Sequence, residues 1–392
     1  MNILRRASAR QLVIGIVAIV VIAGGGAVAF AGGGGPKPAH RSLASALHLA
    51  ASAKPVQGVT ARVQFTNHLV ASGSLGSSSP LITGATGRIW VGGGKLRLEL
   101  QSPSGDTEIG FDGRRVTVYN VSSATAYTLR LPSHHHGTGT AAQPHHALPS
   151  VAGIQQELAK LAEHVDLSGA IPGNIAGRPS YTVRVSPRHS GGLLGSVELA
   201  WDATHGVPLR IAVYSRTDSS PVLALTVTDI SYGSVPASDL RVPLAAGTKV
   251  VQVHLPAHPK QSTATGANAH RAAVTGAAAV ARALPFRLSA PASVVGLPRK
   301  SVRLVEWSGT RAAMAVYGRG LGAVVVLEQQ VPTGAARSPL AALPGVSIHG
   351  GSGHELDTAL GTLIQFDRAG VRYTVIGSLP PAAAEAAARA IG

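Results

Sequence analysis

The sequence predicts an α+β protein: a large antiparallel sheet with helices, followed by a smaller C-terminal α+β unit. Three observations predict it. Between Arg178 and Tyr232, four successive segments alternate apolar and polar residues: Tyr181, Val183 and Val185; Val197, Leu199 and Trp201; Leu209, Ile211 and Val213; Leu223, Leu225 and Val227. Alternation of period 2 puts the apolar residues of a strand on one face, so such strands in series make an antiparallel sheet that is apolar on one side and wet on the other. Helical spacing interrupts the pattern at Leu43, Leu47 and Leu49, and again at Ile154, Leu158, Leu161 and Val165. Last, a stretch rich in Ala, Thr, Gly and Pro, 256–283, separates this region from further strand-like segments and a closing Ala-rich helix.

The bulk numbers limit the function. A chain of 392 residues with 45% hydrophobic content has room for two ordinary domains. Aromatics are only 4%, so the core must come from Val, Leu, Ile and Ala. The formal net charge of +16 raises a polyanionic partner. The basic residues are dispersed, however, and an anionic membrane or cell-wall polymer is as good a counter-surface as nucleic acid. With no cysteine, disulfides, thiolate metal sites, cysteine nucleophiles and a lipid-modified N-terminal cysteine are excluded.

In chain order, Arg5, Arg6 and Arg10 precede an uncharged stretch, 12–31, long enough to span a bilayer. The basic flank belongs in the cytoplasm, so the rest faces outward. Two readings stand: an uncleaved anchor, or a signal peptide cut after Ala29-Phe30-Ala31. The first gives a single-pass cell-membrane protein with an extracytoplasmic domain, the second a secreted or periplasmic one. Both argue against nucleic acid as the partner. Residues 32–40 read as a tether, and 42–53 as a short helix ended by Pro55.

Strands follow. Ala61, Val63 and Phe65 form one apolar row, and residues 84–91 lead into the next strand. Leu96, Leu98 and Leu100 form another row, as do Thr107, Ile109 and Phe111; Asp112-Gly113 marks a hairpin turn. Val116 and Val118 continue the series, and 127–131 closes it. Residues 133–149 are low-complexity and carry His134, His135, His136, His145 and His146. A helix over 151–165 precedes the alternating strands, and 248–253 is a last strand. In the C-terminal part, 303–307, 312–317, 323–329, 361–367 and 371–376 read as strands. Pro380 and Pro381 open the final helix, since Pro suits a first turn.

Three segments carry a family resemblance. Phe111-Asp112-Gly113-Arg114-Arg115-Val116-Thr117-Val118-Tyr119 resembles a strand–DG–strand hairpin of the periplasmic lipoprotein-carrier superfamily, which includes LolA, LppX-type lipid carriers and the N-terminal domain of the regulator RseB. Ile175-Ala176-Gly177-Arg178-Pro179-Ser180-Tyr181 resembles the opening of a later strand of that family. Trp201-Asp202 with Gly206-Val207-Pro208-Leu209 resembles a later hairpin. The resemblance spans 42–254. It implies an incomplete curved antiparallel β-barrel with capping helices, an apolar cavity for acyl chains or a hydrophobic peptide, and no catalysis. The apolar rows then become the candidate lining: Val63, Phe65, Leu96, Leu98, Leu100, Ile109, Phe111, Val116, Val118, Tyr181, Val183, Val197, Leu199, Trp201, Leu209, Ile211 and Val213. The two helices become candidate lids.

The expected organisation is an N-terminal membrane or signal segment with tether, 1–40; a hydrophobic-ligand domain, 41–255; a linker, 256–283; and a small α+β domain, 284–392. The expected partners are a lipid or lipidated protein, the membrane and a membrane protein, with no nucleic acid, cofactor or metal. The histidine tract has no carboxylate or thiolate nearby to complete a metal site and reads as a surface loop. Gly318-Arg319-Gly320-Leu321-Gly322 precedes a strand rather than a helix, so it reads as a hairpin turn instead of a phosphate loop. Ser352 in Gly350-Gly351-Ser352-Gly353-His354-Glu355 reads as an exposed turn. Arg178, Arg210 and Arg216 read as the wet face of the sheet, with lipid headgroups as the alternative. Two rival functions remain: an RseB-like envelope-stress sensor contacting a membrane partner, and an extracytoplasmic hydrolase using Ser352 and His354.

Overall fold

Alternating β-branched and polar residues make the strands, and two serine-capped helices close one part of their apolar face. A computed structural model describes residues 35–69, 81, 84–103, 105–131, 150–188, 192–253, 274–307, 310–331, 343–349 and 351–391. They fall into two compact units, one up to residue 253 and one from residue 274.

In the first unit, α1 (Leu43–Ser52) is followed by β1 (Gly58–Asn67), β2 (Ala85–Gly92), β3 (Lys95–Ser102), β4 (Gly105–Phe111), β5 (Arg115–Asn120) and β6 (Thr125–Arg130). Then come α2 (Val151–Ala162), β7 (Val165–Leu167), β8 (Ile171–Ile175), β9 (Arg178–Pro187), β10 (Leu194–Asp202), β11 (Pro208–Ser215), β12 (Pro221–Tyr232) and β13 (Lys249–Val253). They form one 13-stranded sheet in the order β13-β6-β5-β4-β3-β2-β1-β12-β11-β10-β9-β7, with β8 also on β9. Neighbouring strands pair antiparallel except β13, which lies parallel to β6. That exception has a visible cause. The chain leaves β12 and crosses the polar face, burying Leu240, before it reaches the edge. Gly110 makes room for the crossing, because a Cβ there would lie 2.4 Å from Val242 Cγ2.

Ser42 caps α1 by accepting the Ser45 N–H at 3.2 Å, and Ser150 caps α2 by accepting the Gly153 N–H at 3.1 Å. Leu43, Leu47 and Ile154 then pack on Tyr181, Val183 and Trp201. A second cluster joins Val59, Ala61, Val63 and Phe65 of β1 to Leu100, Leu209, Val227 and Ile230. Each such side chain, taken fully out of water, contributes about 1.5–3 kcal/mol.

The second unit holds α3 (Ala277–Ala283), β14 (Ser293–Val294), β15 (Leu297–Trp307), β16 (Thr310–Tyr317), β17 (Val324–Gln330), β18 (Gly345–Ile348), β19 (Gly351–Thr358), β20 (Gly361–Arg368), β21 (Val371–Gly377) and α4 (Pro381–Arg389). Its 8-stranded sheet runs β14-β15-β16-β17-β21-β20-β19-β18. Val280 of α3 and Ala384, Ala387 and Ala388 of α4 seal one face over Tyr317, Val326, Ile364 and Phe366. Small alanines let the helix backbone approach the sheet closely.

The α+β class, the large antiparallel sheet and the smaller α+β unit are as the sequence predicts. Several details differ. Helix α2 stops at Ala162, and Val165 belongs to β7, because pairing with Pro187 of β9 outweighs continued helical spacing. Residues 277–283, expected in a linker, form α3 and bury Val280 completely. Ser352 lies in β19, opposite Ser347 of β18, rather than in a turn. Gly320–Gly322 is a short 3-10 turn before β17, so the hairpin-turn reading of that segment stands. The apolar stretch 12–31, the histidine tract and 256–273 lie outside the described residues. Among the described residues no helix is long and apolar enough to cross a membrane.

Candidate functional site

The register shows which side chains share a face. Ala61 stands opposite Ile89, Ile89 opposite Leu98, Leu98 opposite Ile109, Ile109 opposite Val118, and Val118 opposite Tyr127. One step along the strands, Val59, Val91, Leu96, Phe111, Val116 and Leu129 form a parallel row. On the other side of β1, Phe65 meets Leu225, Leu225 meets Ile211, and Val213 meets Leu223. In β9 and β10, Tyr181 faces Trp201, Val183 faces Leu199, and Val185 faces Val197. Every candidate lining residue therefore lies on one continuous apolar face.

That face is covered unevenly. Val63, Phe65, Leu100, Tyr181, Val183, Val197, Trp201, Leu209, Ile211 and Val213 are buried. Each leaves less than a tenth of its surface to water. Val63, Phe65, Leu100 and Leu209 belong to the central cluster, and Tyr181, Val183 and Trp201 to the one beneath the helices. α1 and α2 cover Tyr181, Val183 and Trp201, and Ile175 and Ala176 of the β8–β9 turn reach the central cluster. Lifting the helices would expose Leu43, Leu47, Ile154, Tyr181 and Trp201.

Leu96, Leu98, Ile109, Phe111, Val116, Val118 and Leu199 remain only half-buried. All but Leu199 lie on β3, β4 and β5. Beyond them the face opens further, with Tyr127 at 48% and Val253 at 43% exposure. Ile89, Val91, Tyr127, Leu129 and Val251 belong to the same open area but were not among the candidates. Their signal was present, because Ile89 and Val91 flank Trp90 in the same alternation. Trp90 itself turns to the opposite face, where the guanidinium of Arg97 stacks 4.8 Å from its ring centre.

The polar face is a set of ion pairs. Arg97 bonds Glu108 Oε2 at 2.8 Å and Glu99 Oε2 at 3.2 Å. Burial lifts the Glu108 carboxyl above its ordinary range even though Arg97 pulls it down. Glu198 accepts from Arg184 at 2.5 Å and from the Tyr214 hydroxyl at 2.7 Å, and Arg210 donates to Tyr214 Oη at 3.0 Å. Arg178 is not on a wet face: it donates to Ile230 O at 3.2 Å and lies 5.1 Å from the Tyr232 ring centre. Tyr232 in turn donates to Asp202 Oδ2 at 2.7 Å. Burial would raise the Asp202 carboxyl, but hydrogen bonds from Tyr232, His205 and Thr204 hold it below its usual value. This network locks the β10–β11 hairpin to β12 and leaves Asp202 fully committed.

Nothing among the described residues assembles a metal-ligand group. His354 turns Nδ1 toward Leu343 O at 3.3 Å, and among the described residues no hydrogen bond joins it to Ser352.

No protein-family model matches the chain, and no curated protein matches it. Among solved structures it is similar to MucB in complex with MucA(peri), at 17% identity and a TM-score of 0.42, covering 88% of this chain and 97% of that one. The MucA/MucB complex of Pseudomonas aeruginosa gives the same identity and TM-score, covering 88% of this chain and 96% of that one. An uncharacterized conserved protein from Thermus thermophilus is similar at 13% identity and a TM-score of 0.30, covering 50% of this chain and 91% of that one. At these TM-scores the function has to be argued from the chain's own residues.

Proposed function

We propose that this chain is a non-enzymatic, extracytoplasmic protein of the cell envelope whose first unit holds the acyl chains of a lipid or lipidated protein. The binding surface is the open part of the apolar face on β2 to β6. One observation carries the reading: among the described residues, the rows from Ile89 to Tyr127 and from Val91 to Leu129 continue the packed core and grow more exposed toward β6. Strands stand about 4.8 Å apart, so five of them offer an apolar track of roughly 19 Å. Each methylene covered there gains about 0.8 kcal/mol. The uncharged segment 12–31 supports a working position at or beyond the membrane, as anchor or as export signal.

The test is photolabelling with a diazirine fatty acid, read by peptide mapping. The label is expected on peptides containing Ile109 and Val118 and not on those containing Val183. Equal labelling of both regions, or labelling unchanged by Ile109→Asp, would refute the reading.

A second reading, a sensor or regulator that contacts a membrane protein, is favoured by a row on the second sheet. Val316, Val325, Ile376, Leu363 and Leu356 align across β16, β17, β21, β20 and β19, with Ile376 at 47% exposure. A photoreactive residue at position 376 that captures one membrane protein, with binding lost in Ile376→Asp, would support it. Failure to capture any would dismiss it.

A further inference from the structure

The strand register gathers basic residues that are scattered in the sequence. Lys95 opens β3, Arg114 and Arg115 follow the Asp112-Gly113 turn, and Arg130 ends β6. Together with Asp112 and Gly113 they line a cleft of about 410 Å³ at the hairpin tips. Arg115 and Arg130 are direct cross-strand partners. Like charges placed opposite each other repel and weaken the pairing, and guanidinium groups cannot shed their protons. Among the described residues none of these four cations has a carboxylate within ion-pairing distance.

The one carboxylate in the cleft is tied to the turn's backbone, though its charge still acts on Arg115 and Lys95. Asp112 Oδ1 accepts the N–H groups of Arg114 at 3.0 Å and Arg115 at 2.7 Å. The backbone beneath is also fixed: Asp112 N–H donates to Arg115 O at 3.1 Å, and Leu131 N–H donates to Arg114 O at 2.8 Å. Gly113, at φ +97°, supplies the turn that no other residue adopts cheaply. The cations thus stand side by side on a fixed hairpin backbone, where one carboxylate faces four positive charges and offsets only part of their repulsion.

We propose that this cleft is a binding site for a phosphate-class oxyanion, held by Lys95, Arg114, Arg115 and Arg130. A tetrahedral oxyanion would neutralise the facing arginines, and guanidinium forks match its oxygens in pairs. The site is independent of the apolar surface, because Lys95, Arg115 and Arg130 follow the polar-face register of β3, β5 and β6. Its oxyanion has two chemical sources: a free phosphate, or the phosphodiester of an anionic lipid headgroup.

The experiment compares the full chain with the double variant Arg115→Gln/Arg130→Gln. One arm is calorimetric titration with inorganic phosphate. The other is co-sedimentation with vesicles of phosphatidylglycerol against phosphatidylcholine at equal ionic strength. Roughly ten-fold or greater weakening is expected in the double variant, the size usual for lost charge-assisted hydrogen bonds. Weakening in the phosphate arm assigns a free-oxyanion site; weakening with phosphatidylglycerol alone assigns a headgroup site. In phosphate-free buffer the double variant is also expected to melt no lower than the parent, since a repelling pair is gone, which separates lost binding from misfolding. Fatty-acid photolabelling at Ile109 should be unchanged. The proposal is overturned if neither ligand distinguishes parent from variant, or if Arg216→Gln, away from the cleft, weakens vesicle binding as much.

Discussion

Each of the two sheets turns one apolar face inward, yet the faces are finished differently. In the second unit α3, α4 and the chain around Ser289 close the face so completely that a carboxylate, Glu328, is sealed inside with no exposed surface. One Glu328 oxygen accepts the Ser289 N–H at 2.8 Å, and the other has no partner. In the first unit α1 and α2 close only the β9–β10 side, and the rows fade from buried on β1 to exposed on β6. The same alternation of residues therefore has two outcomes among the described residues: one face is closed by its own helices, and the other leaves apolar side chains half-buried or exposed.

Paired substitutions break the comparison most sharply. Ile364→Asp places an unpaired charge in the closed face and is expected to cost about 4 kcal/mol or more. Ile109→Asp, half-buried on the open face, is expected to cost about 1 kcal/mol or less. Urea unfolding of each variant measures both; equal losses would mean that the two faces are equally covered.

Glu328 gives the next largest effect. Burial pushes its carboxyl up to about 7 from an ordinary 4.5, against the opposing pull of the Ser289 N–H. A raised acid binds its proton more tightly in the folded state, so its cost is absent below pH 4.5. Stability should then fall as pH rises from 4.5 to 7 and level off above, by a total of about 3 kcal/mol. Glu328→Gln keeps an acceptor for Ser289 and removes the charge. It should abolish that slope and stabilise the protein at pH 8, as read by unfolding at pH 5 and pH 8. An unchanged slope would show that the second face admits water.

The smallest stability effect sharpens the account of the covered side. Ser150→Ala removes the cap of α2 and should cost about 1 kcal/mol. If α2 is fixed cover rather than a lid, hydrogen exchange at Tyr181 and Val183 should rise in step with that loss, with fatty-acid labelling unaltered.

Much of this was legible in the sequence. Alternation located most strands and assigned Val63, Leu98, Ile109 and Val118 to one face, because a strand's two sides are written directly in its residues. Cover was not legible, since which part of a face a helix lands on is decided by contacts far apart in the chain. Strand β8 escaped notice because Pro172 and Gly173 give it a loop composition, which a strand beside the sheet edge tolerates. Ser352 was misplaced because its glycines look like turn residues. Gly353 is required instead by crowding, as a Cβ there would lie 2.8 Å from Gln365 O. The basic cleft was invisible for a related reason: Lys95, Arg115 and Arg130 meet only through the register of three hairpins.

The most direct test of the open face is native mass spectrometry of the purified full chain after incubation with fatty acid. The parent should carry the added mass of bound acyl chains, Ile109→Asp should have lost it, and Ile376→Asp should retain it. A parent that stays bare, or an Ile109→Asp variant loaded to the same degree, would contradict the account.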